Sequence, residues 1–319
     1  MKHRLLALGT LGPVLALLAA CAFFATRSER FLTGDNLSIV LQQVMVVGVI
    51  AIGQTLVILT AGVDLSCGAL MALGGIVMTK LAVENQWPVA LALAAGLGVT
   101  TLFGCLNGLL VSRLKLPPFI VTLGTLNIAF AITQLYSNAQ TVTDVPAGLT
   151  ALGNAVQLGG TSVVYGVILM LGLFAFAAFV LSQTAAGRHV YAAGNNPEAA
   201  RLSGIATRRV LLGVYVVAGL CYGIAALLSV ARTGVGDPNA GQSENLDAIT
   251  AVVVGGTSLF GGRGLVLGSL VGALIVGVFR NGLTLIGVSS VYQMLVTGIL
   301  VILAVATDQL SRRLAQRGA

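Results

Sequence analysis

What most constrains this chain is a series of apolar runs, roughly 18 to 24 residues each, joined by short polar connections. A backbone inside lipid must pair all of its polar groups internally, so only helices or a closed barrel can cross. Barrel strands are about 10 residues long and alternate apolar with polar side chains, which these runs do not do. The expected fold is therefore all-α, a polytopic membrane helix bundle forming one domain over residues 1–319. Composition agrees, because 57% apolar and 8% charged residues leave too little polar surface to cover a soluble globule.

The first run follows Lys2, His3 and Arg4, as in a signal peptide, and Leu18-Ala19-Ala20-Cys21 resembles a lipoprotein cleavage site. Many further runs follow, so an uncleaved first helix is expected. The others cover 37–60, 67–83, 88–111, 119–136, 163–183, 210–230, 247–260, 265–282 and 291–307, which predicts about ten transmembrane helices. The run 247–260 is short and reads as a crossing or a re-entrant segment. With the chain starting inside, 12 of its 17 Lys and Arg residues fall on the cytoplasmic side, and 7 of its 10 acids fall outside. That distribution follows the positive-inside rule, with both termini cytoplasmic. It also explains the net charge of +7 without nucleic acid, for which no basic stripe with interleaved aromatics exists.

Three polar interruptions stand out. The stretch from Gly53 to Gly68 carries Gln54 and Asp64 between two apolar runs. An acid at the hydrocarbon centre costs roughly 2.5–3.5 kcal/mol, so Asp64 should lie at an interface or be paired. It could cap the next helix through the N–H of Ser66 or Cys67, or line a gate; the two roles are compatible. With Asn107, Thr125 and Asn127, Gln54 and Asp64 are the pathway or gate candidates; all but Asp64 are neutral, which suits a polar uncharged solute better than an ion relay. Asn and Gln also join helices in lipid.

The second interruption, Val254 to Gly264, is glycine-rich. Gly264, Gly268 and Gly272 repeat every four residues, which puts them on one helix face open to close packing. A phosphate-cradling Walker loop would need Gly-Lys-Ser/Thr, and none of Lys2, Lys80 and Lys115 follows a glycine. Any ATP hydrolysis must therefore come from another protein. Neither a metal nor a cofactor is called for, since the two histidines, His3 and His189, join no catalytic or ligating constellation. The four cysteines stand singly, as packing residues.

The third is the longest clearly polar break, Thr184 to Arg209. Within it, Asn195 or Asn196 can cap a short helix, Pro197 fits the first turn, Glu198 suits the positive helix end and Gly204 stops it. Ala199, Ala200 and Leu202 give that helix a compact surface for a partner's cleft.

The runs Thr60-Ala61-Gly62-Val63-Asp64-Leu65-Ser66, Gly187 to Ile205, Leu246-Asp247-Ala248-Ile249 through Gly255-Gly256-Thr257-Ser258-Leu259, and Asn281-Gly282-Leu283 through Tyr292-Gln293 together resemble the permease subunits of bacterial ribose-type monosaccharide ABC importers. The resemblance covers about residues 36–310 in four ordered motifs. Cys67 and Phe260 depart from the other small or apolar residues expected at their positions. The resemblance implies a transport subunit without enzymatic activity, paired with a second permease copy, identical or not. It also implies a cytoplasmic ABC ATPase subunit and a periplasmic sugar-binding protein. Asn195, Pro197, Glu198, Ala199, Ala200, Arg201 and Gly204 would form the ATPase-coupling segment within a cytoplasmic loop at 184–209. A self-contained secondary transporter or channel for a small polar solute is the rival reading, and scarce buried acids count against ion coupling.

Overall fold

A computed structural model describes the backbone of residues 2–158 and 161–317. Side chains are described over most of 12–299; those of Lys2, Arg4, Arg312, Arg313 and Arg317, which carry terminal charges, are not among them. The helices are α1 (Lys2–Arg27), α2 (Gly34–Leu59), α3 (Cys67–Val83), α4 (Val89–Ser112), α5 (Pro118–Ser137), α6 (Ala147–Thr150), α7 (Tyr165–Gln183), α8 (Ala185–Asn195), α9 (Pro197–Leu202), α10 (Thr207–Thr233), α11 (Glu244–Val254), α12 (Val266–Leu285) and α13 (Ser290–Arg317). A short antiparallel hairpin, β1 (Ala155–Leu158) and β2 (Thr161–Val164), precedes α7.

The bundle is built around α2, which packs against α10, α12, α11 and α7. Its Val and Ile side chains face neighbours on nearly every side, so its middle is almost wholly buried. Thr33 caps it by accepting the N–H of Asn36 at 3.4 Å. Asn36 then exchanges amide hydrogen bonds with Asn281 of α12, at 3.0 and 2.9 Å. Near the other end, Thr55 donates to Ser269 Oγ at 2.8 Å, so α2 and α12 are joined by polar side chains at two depths.

Glycines bring other helices into contact. Gly104 of α4 lies against the backbone of Tyr215 and Gly219 of α10, and Gly219 in turn lies against Thr100. Gly268 and Gly272 of α12 meet the carbonyls of Gly255 and Ala251, so α12 rides closely on α11. Gly264 stands apart from that face, in the turn before α12 and against Thr257.

The expectation of about ten crossings is corrected by the structure. Among the described residues six helices, α2, α4, α5, α7, α10 and α12, are long and apolar enough to cross a membrane. The run 67–83 forms α3, whose 17 residues span about 25 Å at 1.5 Å per residue, short of the ~30 Å hydrocarbon layer. The run 247–260 breaks at Gly255, leaving the 11 residues of α11, about 16 Å long. The first expected span falls in α1, where side chains before Gly12 lie outside the described residues. The last expected span, 291–307, falls in α13, where side chains from 300 onward lie mostly outside the described residues. The physical reason is that α3 and α11 are apolar because they are enclosed by other helices. Hydropathy alone does not separate burial in protein from burial in lipid.

Candidate functional site

Two of the polar interruptions and the Thr184–Arg209 loop meet at one end of the bundle. Within the loop, Thr184 accepts the N–H of Gly187 at 3.3 Å and starts α8. Gly187, Val190, Ala193 and Gly194 are buried at helical spacing, while Arg188 and His189 are exposed. Asn195 ends α8; Asn196 is the cap of α9, accepting the N–H of Ala199 at 3.0 Å. Pro197 occupies the first turn, and Gly204 turns the chain out of the helix at φ +85°.

Only Ala200 of α9 is buried, beneath an exposed surface formed by Pro197, Glu198, Ala199, Arg201 and Leu202. Leu202 is 77% exposed. Glu198 and Arg201 pair across one turn at 2.6 Å. That hydrogen bond and charge hold the Glu198 carboxyl below the usual range. The result is a solvated knob with a fixed charge pair and one bare leucine, standing on a helix seated in the bundle.

The seat is made of backbone. Gly194 lies against the Leu59 carbonyl at the end of α2, and the same carbonyl accepts the N–H of Gly262 at 2.9 Å. Tyr191 donates to the carbonyl of Gly264 at 2.9 Å. Gly261 contacts both Ala61 and Gly194. The two glycine-bearing breaks and α8 thus interlock.

Beyond that seat, the chain from Thr60 to Ser66 turns into a buried polar knot. Asp64 is 1% exposed. Its Oδ1 accepts from the N–H of Ser66 at 2.8 Å and from Ser66 Oγ at 2.6 Å, while Oδ2 accepts from Tyr222 OH at 3.2 Å. Gln54 donates to the Asp64 carbonyl, and Asn107 donates to Ser66 Oγ at 3.1 Å. Asn245 of α11 donates to the Leu65 carbonyl at 2.6 Å and accepts from Cys67 Sγ at 3.0 Å. Helices α2, α3, α4, α10 and α11 are tied together here, with Gln54, Asp64 and Asn107 in one cluster. Gln54 Oε1, Asn107 Oδ1 and Tyr215 OH are buried with no hydrogen-bond partner among the described residues. Thr125 and Asn127 stand elsewhere on α5; Thr125 bonds carbonyls of its own helix, and Asn127 is exposed and donates to Leu123. Tyr222, Tyr215 and Asn245 were not singled out from the sequence. Among the described residues no group of His, Cys, Asp and Glu is placed to hold a metal.

The sequence that builds this arrangement matches a known family. Residues 36–305 match the family described as "Branched-chain amino acid transport system / permease component". The chain belongs to this family. Relatives of the permease include the fructose import permease protein of Rhizobium meliloti, 44% identical over 95% of this chain and 85% of the relative. The ribose import permease protein of Escherichia coli strain K12 is 40% identical, over 92% of each chain. The xylose transport system permease protein of the same strain is 32% identical over 94% of this chain and 91% of its own. The permease is thus a transport subunit, and a match over nearly its whole length covers the seat, the knot and the knob together.

Proposed function

We propose that this permease is the membrane subunit of an ATP-driven importer that moves a monosaccharide, pentose or hexose, into the cytoplasm. The reading is carried by the full-length likeness to permeases whose names state fructose, ribose, allose and xylose. The family description names branched-chain amino acids, whereas the names of the relatives state sugars, and the solute class follows the relatives. Neutral buried polar groups, such as Gln54, Asn107 and Thr125, agree with an uncharged solute.

The end bearing α8 and α9 faces the cytoplasm of a bacterial inner membrane, with both termini on that side. Support comes from basic side chains gathered there: Arg188, Arg201, Arg208 and Arg209 in the loop, and Lys115, close enough to act electrostatically on Glu198. An ABC ATPase subunit seats on the knob formed by Asn195, Pro197, Glu198, Ala199, Ala200, Arg201 and Gly204. Closure of its nucleotide sites pushes α8 and α9 as one body. Because Gly194 bears on the end of α2 and Tyr191 on the turn before α12, that push reaches both breaks and the knot behind them. Gln54, Asp64 and Asn107 act there as gate residues, and Thr125 and Asn127 on α5 flank the path. A periplasmic sugar-binding protein docks at the opposite end, and a second permease copy completes the pathway.

The test is reconstitution in proteoliposomes with the ATPase subunit and sugar-binding protein of the same organism. ATP-dependent uptake of D-fructose or D-ribose is expected only with all components present. Solute movement by this chain alone would establish a self-contained secondary transporter or channel instead. Uptake of leucine without uptake of any sugar would reassign the solute.

A further inference from the structure

The end of the bundle away from α9 holds a cavity of about 590 Å3, within the range of small-molecule sites. It lies at the far end of α10, whose 27 residues place it about 40 Å from the knob. One wall is the chain between α10 and α11, which does not stay at the surface. Gly236 pairs with Val142 through two backbone hydrogen bonds and presses on Thr79 near the end of α3. Gly241 lies on the carbonyl of Gly68, and Asn245 reaches Leu65 and Cys67 at the start of α3. Thr79 and Cys67 are about 18 Å apart along α3, so this segment descends deep into the bundle before α11 begins.

The descent opens the cavity and places charged groups around it. Asp247 is buried and pairs with Arg280 of α12 at 3.0 Å through one guanidinium nitrogen. Arg232 of α10 lines the same space and has no hydrogen-bond partner among the described residues. Glu244 faces it as well, and Gln242 and Asn239 supply amides. Phe279, Met71 and Val276 add apolar surface to the same lining. A guanidinium has only donors and a carboxylate only acceptors, while a hydroxyl is both and can bridge the two. Three acids, Asp237, Glu244 and Asp247, and two arginines, Arg232 and Arg280, line the cavity together, so its charges nearly cancel and it presents both signs to one solute. A lining that combines apolar side chains with both donors and acceptors fits a ring that carries hydroxyls on its edge and C–H groups on its face.

We propose that this cavity is a binding site for a neutral polyhydroxylated ring, in which Arg232, Gln242 and the Asp247–Arg280 pair hold sugar hydroxyls before the path opens. The site rests on the importer reading for its solute class, and its test separates the two. Ser243→Cys, a lining position given no part in holding the sugar, is labelled with a membrane-impermeant maleimide in the complete permease–ATPase complex in nanodiscs, with the unsubstituted complex giving the background from Cys21 and Cys105. D-fructose, D-ribose and leucine are offered as protectants. One of the sugars should slow labelling several-fold, while an exposed control at the same end, Gln140→Cys, stays fully reactive. Adding Arg232→Gln should raise the half-protecting concentration about tenfold or more, through loss of a charged hydrogen bond. Asn239→Ala, in an exposed turn, carries the same test should Arg232→Gln fail to assemble. Sugar uptake by the unsubstituted complex without protection overturns the site and leaves the importer reading standing. Protection that neither second substitution weakens also overturns the site, as does protection by leucine alone. Protection without uptake upholds the site while the ATP-driven reading falls, and neither uptake nor protection overturns both.

Discussion

Gly194 of α8 sits against the carbonyl of Leu59 with no room for a Cβ between them. The contact is backbone on backbone, so no rotamer change can relieve an added methyl, and α8 must shift off the end of α2. Gly194→Ala should destabilise the folded permease by about 1–3 kcal/mol, as overpacking does. Uptake should fall further than stability, because the same contact carries the push from the knob. Thermal unfolding in detergent, read beside ATP-dependent uptake in proteoliposomes, checks both. Wild-type uptake at wild-type melting temperature would remove the contact from the transmission route.

Gly204 provides the contrast. Its φ of +85° is unfavourable for other residues, but nothing lies within contact distance of a Cβ built there. Gly204→Ala therefore meets only backbone strain, about 1–2 kcal/mol. Gly204→Asn should recover part of it, since Asn tolerates the left-handed region. Ranking the three melting temperatures, glycine highest and alanine lowest, is the measurement.

Much of this was legible in the sequence where the determinants are local. Asn196, Pro197 and Gly204 fix α9 from its own flanks, and Ser66 lies two residues from the Asp64 it serves. The helix α8 was equally local, with a Thr184 cap and buried positions at 187, 190, 193 and 194, but the charges of Arg188 and His189 on its other face give the segment the look of a plain polar loop. Long-range partners were not legible. Tyr222 reaches Asp64 across 158 residues, and Asn107 reaches Ser66 across 41; an isolated tyrosine in an apolar run carries no mark of which helix it will meet. The span count failed for a related reason, since α3 and α11 owe their apolar character to enclosure by α4, α10 and α12.

The Glu198–Arg201 pair is fully exposed, and solvent screens such pairs to little net stability. Glu198→Gln should leave thermal unfolding unchanged while lowering transport-linked ATP hydrolysis, if the knob's charge pattern meets the ATPase. The pH dependence has a definite sign. Arg201 depresses the folded-state pKa of Glu198, so whatever the pair contributes is present above the ordinary glutamate range and is lost as pH falls through the depressed value. Between pH 6 and 8, this carboxylate should therefore give coupled hydrolysis no titration of its own. A pH–rate profile of wild type and Glu198→Gln should show a constant ratio across that window.

The polar knot makes the sharpest stability prediction, because it can be opened in two chemically distinct ways. Asp64→Ala removes both carboxylate oxygens and leaves the Ser66 N–H, the Ser66 hydroxyl and the Tyr222 hydroxyl buried without their acceptor. Each orphaned group costs about 1–3 kcal/mol, enough together to unfold a marginal bundle. Asp64→Asn keeps one oxygen for Ser66 and turns an amide toward Tyr222, whose hydroxyl can rotate to accept. The asparagine variant should therefore reach the membrane folded and melt between wild type and alanine, and Tyr222→Phe, which leaves one carboxylate oxygen without its donor, should cost less than Asp64→Ala. Size-exclusion profiles and melting curves of the three detergent-solubilised variants decide it. Equal behaviour of alanine and asparagine at position 64 would mean that the carboxylate is not what holds α3, α4 and α10 together at this depth.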